Sequence, residues 1–105
     1  MPMEGLPFAR RAVAAAPGTA NVLDTLAWIQ HLLGDDANAA KLMVEAVRTN
    51  TLNPDIRLHA AIVFAAAGQI APAQTQLAIA LKLNPALEAT DDVKQLRARL
   101  AKPTR

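Results

Sequence analysis

Few side chains in this sequence can carry chemistry, and their spacing narrows what that chemistry is. The chain holds two histidines, His31 and His59, a single tryptophan, Trp28, and no cysteine. A metal site on the histidines needs a third ligand, for which Asp24 is the candidate, and no known ligand spacing is present. The two rings therefore read as surface or partly buried side chains, with no metal expected. The lack of cysteine excludes disulfides, thiolate ligands and a thiol nucleophile. No glycine-rich phosphate loop, paired buried carboxylates or nucleophile with a base at usable spacing occurs. The Asp35-Asp36 pair suits the start of a helix, as a cap rather than an acid–base dyad. The basic cluster Lys94, Arg97, Arg99, Lys102 and Arg105 is interleaved with Asp91 and Asp92 and lacks aromatics. It reads as a solvated helix end, where cations suit the dipole, and not as a nucleic-acid surface. Neither catalysis nor a cofactor is expected.

The elements that must position these side chains are helices. Of 105 residues, 52% are hydrophobic, 3% aromatic and 19% charged, with 24 alanines, 14 leucines and no tyrosine. One domain spanning residues 1–105 is the natural division at this length, and a disordered chain would be less apolar. β-Branched and aromatic residues are too scarce, and alanine too plentiful, for an all-β fold. The longest apolar run, Ala60 to Ala67, has eight residues, against the ~20 that a membrane span requires. Met1 to Phe8 lacks the basic-then-apolar pattern of a signal peptide. A net charge of +2 is too weak a bias to indicate nucleic acid. No direct membrane insertion is expected, and the compartment stays open between cytoplasm and periplasm.

A period of 34 runs through the chain. Gly34 and Gly68 lie 34 apart, as do Ala27 and Ala61, Ala39 and Ala73, and Ala46 and Ala80, with Ala12 extending the last series backward. Pro17 and Pro85 are two periods apart, with Thr51 between them, and Val13, Val47 and Leu81 follow the same spacing. Small residues at 27, 39, 46, 61, 73 and 80 let helix backbones approach closely, while Leu, Ile and Val between them supply contact area. The two glycines fall where a first helix must stop in the left-handed conformation. Asn53-Pro54 reads as an N-cap followed by proline at the first helical position, and Pro72 fits another helix start. Six helices are predicted, at 4–16, 20–33, 37–50, 54–67, 71–83 and 88–101. Ile56 is expected to fill the space that Arg57 cannot.

A helical period of 34 resembles the tetratricopeptide repeat. Leu26, Ala27, Gly34, Ala39 and Ala46 fall on that family's positions in a unit 20–53, and Ala61, Gly68, Ala73, Ala80 and Pro85 do so in a unit 54–87. Arg57 and Thr51 depart from the pattern, standing where a large apolar residue and a proline are usual. The resemblance implies an all-α solenoid of about six antiparallel helices. Residues 4–19 would supply the leading helix of an incomplete repeat, and amphipathic 88–101, with Val93, Leu96 and Leu100 on one face, would be the polar cap that solenoids need. The N-terminal end carries no such cap, so the chain reads as the C-terminal end of a longer repeat protein.

The same resemblance implies a concave groove along the first helices, holding a partner's peptide or helix. Its positions fall on Asn21, Asp24, Thr25, Trp28, His31 and Leu32, then Asp55, Leu58, His59, Ile62 and Ala65. Helical spacing independently puts Asn21, Asp24, Trp28 and His31 on one stripe, and Asp55, Leu58, Ile62 and Ala65 on another. Trp28 is placed as a binding anchor, a packing residue between helices, or both. The lysine, asparagine and arginine of a carboxylate clamp are missing from these positions, so the expected partner is apolar or weakly basic. The expected function is a non-enzymatic protein-interaction module. The alternative is a structural segment that self-associates through Leu6, Phe8 and Val13 of the uncapped leading helix. The runs Leu23-Asp24-Thr25-Leu26-Ala27-Trp28-Ile29 and Pro54-Asp55-Ile56-Arg57-Leu58-His59 are also similar to the last repeats of large bacterial proteins of this family. Among these are lipoproteins of exopolysaccharide production and PEP-CTERM sorting, which would imply a place outside the cytoplasm.

Overall fold

A computed structural model describes residues 19–49 and 51–101. The leading helix expected at 4–16, with its apolar face, lies outside the described residues. Those described form helices without a strand: α1 Thr19–Leu32, α2 Asp36–Arg48, α3 Pro54–Ala66, α4 Ile70–Leu83, a 3₁₀ turn Pro85–Ala89 and α5 Asp91–Ala101. None is long and apolar enough to cross a membrane.

The glycine signal is realised in the backbone. Gly34 and Gly68 adopt φ +86° and +80°, a region that other residues enter at a cost. At the end of α1, the Gly34 N–H donates to the His31 carbonyl at 2.9 Å and the Asp35 N–H to the Gln30 carbonyl at 2.8 Å. At the end of α3, the Gly68 N–H donates to the Ala65 carbonyl at 3.0 Å and the Gln69 N–H to the Phe64 carbonyl at 2.8 Å. Both pairs are the two bonds of a Schellman closure, which satisfies the last carbonyls of a helix, and the second repeats the first 34 residues on.

Starts are set by caps. The Asp35 side chain accepts from the Asn38 N–H at 3.3 Å, and that of Asn53 from the Asp55 N–H at 2.9 Å ahead of Pro54. Pro72 sits in the first turn of α4, where a missing N–H costs no helical bond. The C-terminal helix departs from expectation. Instead of one helix from 88 to 101, Asn84 caps a 3₁₀ turn by accepting from the Ala86 N–H at 3.2 Å. Thr90 then ends that turn by donating to the Leu87 carbonyl at 2.7 Å, and opens α5 by accepting from the Val93 N–H at 3.3 Å. Two local hydrogen-bonding residues thus divide a stretch that apolar periodicity alone joins.

Packing follows the same register. Ala27, Ala39, Ala46, Ala61, Ala73 and Ala80 are all wholly buried, so at each of them helices meet too closely for a larger side chain. α1 packs on α2, α3 on both of them, α4 on α3, and α5 on α3. Leu23, Leu42, Met43, Ile56, Val63 and Val93 fill the core between them. Burying each such side chain contributes roughly 1.5–3 kcal/mol. Ile56 enters the core as expected, but Arg57 is not left out of it. Arg57 is 8% exposed, with Nε donating to the Thr51 carbonyl at 3.0 Å and Nη1 to Gln76 Oε1 at 2.9 Å.

Candidate functional site

Trp28, the single tryptophan, is half-buried on α1 and carries both histidine rings against it. Its centroid lies 4.4 Å from that of His59 on α3, at 30° between planes, and 4.9 Å from that of His31, at 46°. Both histidines thus lie against the same indole, His59 stacked on it and His31 tilted to it. Each is held from behind by a carboxylate. His59 Nδ1 lies 2.9 and 3.1 Å from the two oxygens of Asp24 on α1, and His31 Nδ1 lies 2.6 Å from Asp36 Oδ1 at the start of α2. A carboxylate only accepts, so in both rings Nδ1 carries the proton and donates it.

This geometry shifts the titration of His59. The hydrogen bond that its Nδ1–H donates to Asp24 lifts it above the ordinary value of 6.5, against the desolvation of its half-buried ring. Attraction from Asp24, Asp55 and Asp92 adds to the rise. The three carboxylates come from α1, α3 and α5.

Beside the stack lies a cleft of about 240 Å³, lined by Trp28 and His31 of α1, Ile62 of α3, and Asp92, Gln95, Leu96 and Arg99 of α5. Trp28, Ile62 and Leu96 are spaced by 34 and again by 34. One repeat position, occupied three times, thus forms the apolar floor, and α5 continues the register of α1 and α3. Gln95 stands exposed at the register of the wholly buried Ala27 and Ala61. A polar residue is tolerated there because the position lies on the rim of the cleft, exposed, and not in a helix contact.

The residues singled out from sequence divide in three. Trp28, His31 and Ile62 line the cleft, with Asp24 and His59 supporting it. Leu58 is only 5% exposed and Ala65 likewise, so the surface stripe of α3 reduces to Asp55, His59 and Ile62. Neighbours on several sides leave α3 a narrower open arc than a helix with one partner has. Asn21 and Thr25 lie apart from the cleft, lining a shallow depression of about 340 Å³ with Val22 and Leu26, and Leu32 projects into solvent at 71% exposure. Sequence reasoning missed Asp36, which holds His31, and the wall supplied by α5. The signal for α5 was present: one further step of 34 from Ile62 reaches Leu96.

Among the described residues no three His, Asp or Glu side chains converge as a metal ion requires. The cleft offers an apolar floor and polar rims of both signs, with one imidazole, His31, in its lining and a second, His59, behind Trp28. No family model, curated protein or solved structure matches this sequence.

Proposed function

We propose that this chain is a non-enzymatic interaction module of the tetratricopeptide type, a stack of helix pairs that holds a partner's peptide or helix in the cleft between α1, α3 and α5. The observation that carries the reading is the floor of Trp28, Ile62 and Leu96, one register position presented by three successive first helices. The recurrence of the Schellman closures and buried alanines at the same period supports it. An apolar side chain of the partner fits the floor, and a basic group beside it would meet Asp92. Asp24 is committed to His59 and orients the wall rather than the partner.

The test is a peptide-display selection on the full chain, with the hits titrated against rim variants Gln95→Arg and Asp92→Lys. Both positions are exposed, so the fold should survive. Loss of tenfold or more in affinity is the expected result, and hits that bind every variant as well as wild type would sink the reading. A second reading, self-association as part of a larger repeat assembly, is favoured by the shallow apolar depression at Val22 and Leu26. Sedimentation across concentration separates the two, since a monomer at every concentration removes the second.

A further inference from the structure

Asp24 and His59 tie α1 to α3, the two helices that carry Trp28 and Ile62 into the cleft. The imidazole is bound on one edge by both oxygens of a carboxylate and stacks on the indole. The charged groups around it come from every side. α1 gives Asp24 and, also against Trp28, His31, whose own carboxylate partner is Asp36 of α2. α3 gives Asp55 and α5 gives Asp92, with Arg99 as the cation lining the cleft. α4 packs on α3 through Gln76, which holds the buried Arg57, and its charged residue, Lys82, is exposed.

We propose that the Asp24–His59 pair is a proton-operated latch that fixes Trp28 in the cleft floor when closed and loosens that floor when open, so that the grip of the cleft depends on pH. Only the last clause rests on the interaction-module reading. With the proton on, an imidazolium donates to a carboxylate, a charge-assisted bond roughly twice as strong as a neutral one. The cation also stacks on an aromatic face, which adds attraction. With the proton off, Nδ1–H still reaches Asp24, but both gains are lost. Because His59 titrates above its ordinary value in the folded chain, the added stability is complete below pH 6.5 and disappears as pH rises through the folded value. That interval falls where a histidine works as a switch.

Trp28 is the chain's single tryptophan, and protonated imidazole quenches indole fluorescence more than the neutral ring, so the latch carries its own reporter. The experiment records Trp28 emission of the full chain from pH 5.5 to 9, with circular dichroism confirming that each variant is helical. Because His31 also lies against the indole, the titration is read in a His31→Gln background. Expected there is a sigmoidal rise with its midpoint above 6.5, lost on adding His59→Gln and moved to lower pH on adding Asp24→Asn. Constant emission, a midpoint at or below 6.5, or a transition that survives in the His31→Gln, His59→Gln double variant overturns the latch. A second arm measures a display-selected peptide at pH 6 and pH 8.5. Binding several-fold tighter at pH 6 in wild type, and equal at both pH values in His59→Gln, supports coupling to the cleft; equal binding in wild type overturns it. The fluorescence arm needs no partner, so a normal titration with no peptide selected would sink the interaction reading and leave the latch in place.

Discussion

Units 20–53 and 54–87 share a backbone plan but not an interior. Their glycines, closing hydrogen bonds and buried alanines match position for position. The larger buried side chains do not. Leu23 and Leu42 of the first unit correspond to Arg57 and Gln76 of the second, and Gln30 corresponds to Phe64. The exchange of Leu23 and Leu42 for Arg57 and Gln76 is a paired one: two buried leucines give way to a guanidinium and an amide joined at 2.9 Å. Positions where backbones touch admit one residue type, because any Cβ substituent would push helices apart. Positions filled by long side chains admit any pair that fills the space and satisfies its own polar atoms.

The largest expected effect comes from breaking that pair. Gln76→Leu copies Leu42 but leaves a buried guanidinium short of an acceptor, and should destabilise by about 2–3 kcal/mol. Arg57→Leu alone strands the amide oxygen and should cost about 1–3 kcal/mol. The double variant rebuilds the first unit's interior in the second and should return to within about 1 kcal/mol of wild type, since a buried polar pair and an apolar one of similar volume are often equivalent. Urea midpoints at constant slope measure all three. Additive costs in the double variant would show that the two side chains are independent and that the comparison of units fails.

The next effect tests sameness instead of difference. Gly34→Ala and Gly68→Ala each force a Cβ into left-handed backbone, at roughly 1–2 kcal/mol. An added Cβ meets nothing within 4 Å at either site, so the cost is backbone strain alone. It should agree between the two units to within about 0.5 kcal/mol by thermal or urea unfolding. A clear inequality would mean that the two closures are alike in geometry but not in energy.

These contrasts explain what could be read from sequence. The glycines and alanines were legible because each is dictated by one steric fact that recurs with the period, and α1 to α4 fell within two residues of their expected bounds. The division of 85–101 was not legible, because Asn84 and Thr90 act through single side-chain bonds that no periodicity announces. At the candidate site, Trp28, His31, His59 and Asp24 were singled out. Their pairing was hidden, because Asp24 meets a histidine 35 residues away only once α3 packs on α1. Leu58 looked like a surface residue for the converse reason: its helix is covered by more neighbours than a stripe drawn on one helix reveals.

The smallest effect concerns the caps, where the units differ again. Asp35 and Gln69 occupy equivalent positions with similar backbone angles, φ −94° ψ 67° and φ −94° ψ 82°. Asp35 caps α2 and Gln69 makes no side-chain cap. The reason lies three residues on. Asp35 accepts from the N–H of Asn38, and the equivalent position in α4 is Pro72, which has no N–H to offer. The proline removes the donor that a cap would satisfy, so the second unit solves the same problem by deletion. Asp35→Ala should therefore cost about 1 kcal/mol. Gln69→Asp should gain at most about 0.5 kcal/mol, from the favourable placement of a carboxylate at a helix start. Restoring the donor as well, in Gln69→Asp with Pro72→Asn, should make the carboxylate worth more than it is beside proline, a coupling that a double-mutant cycle of unfolding free energies reads directly. If Gln69→Asp stabilises as much with Pro72 in place as without it, then the missing N–H is not why this unit dispenses with a cap.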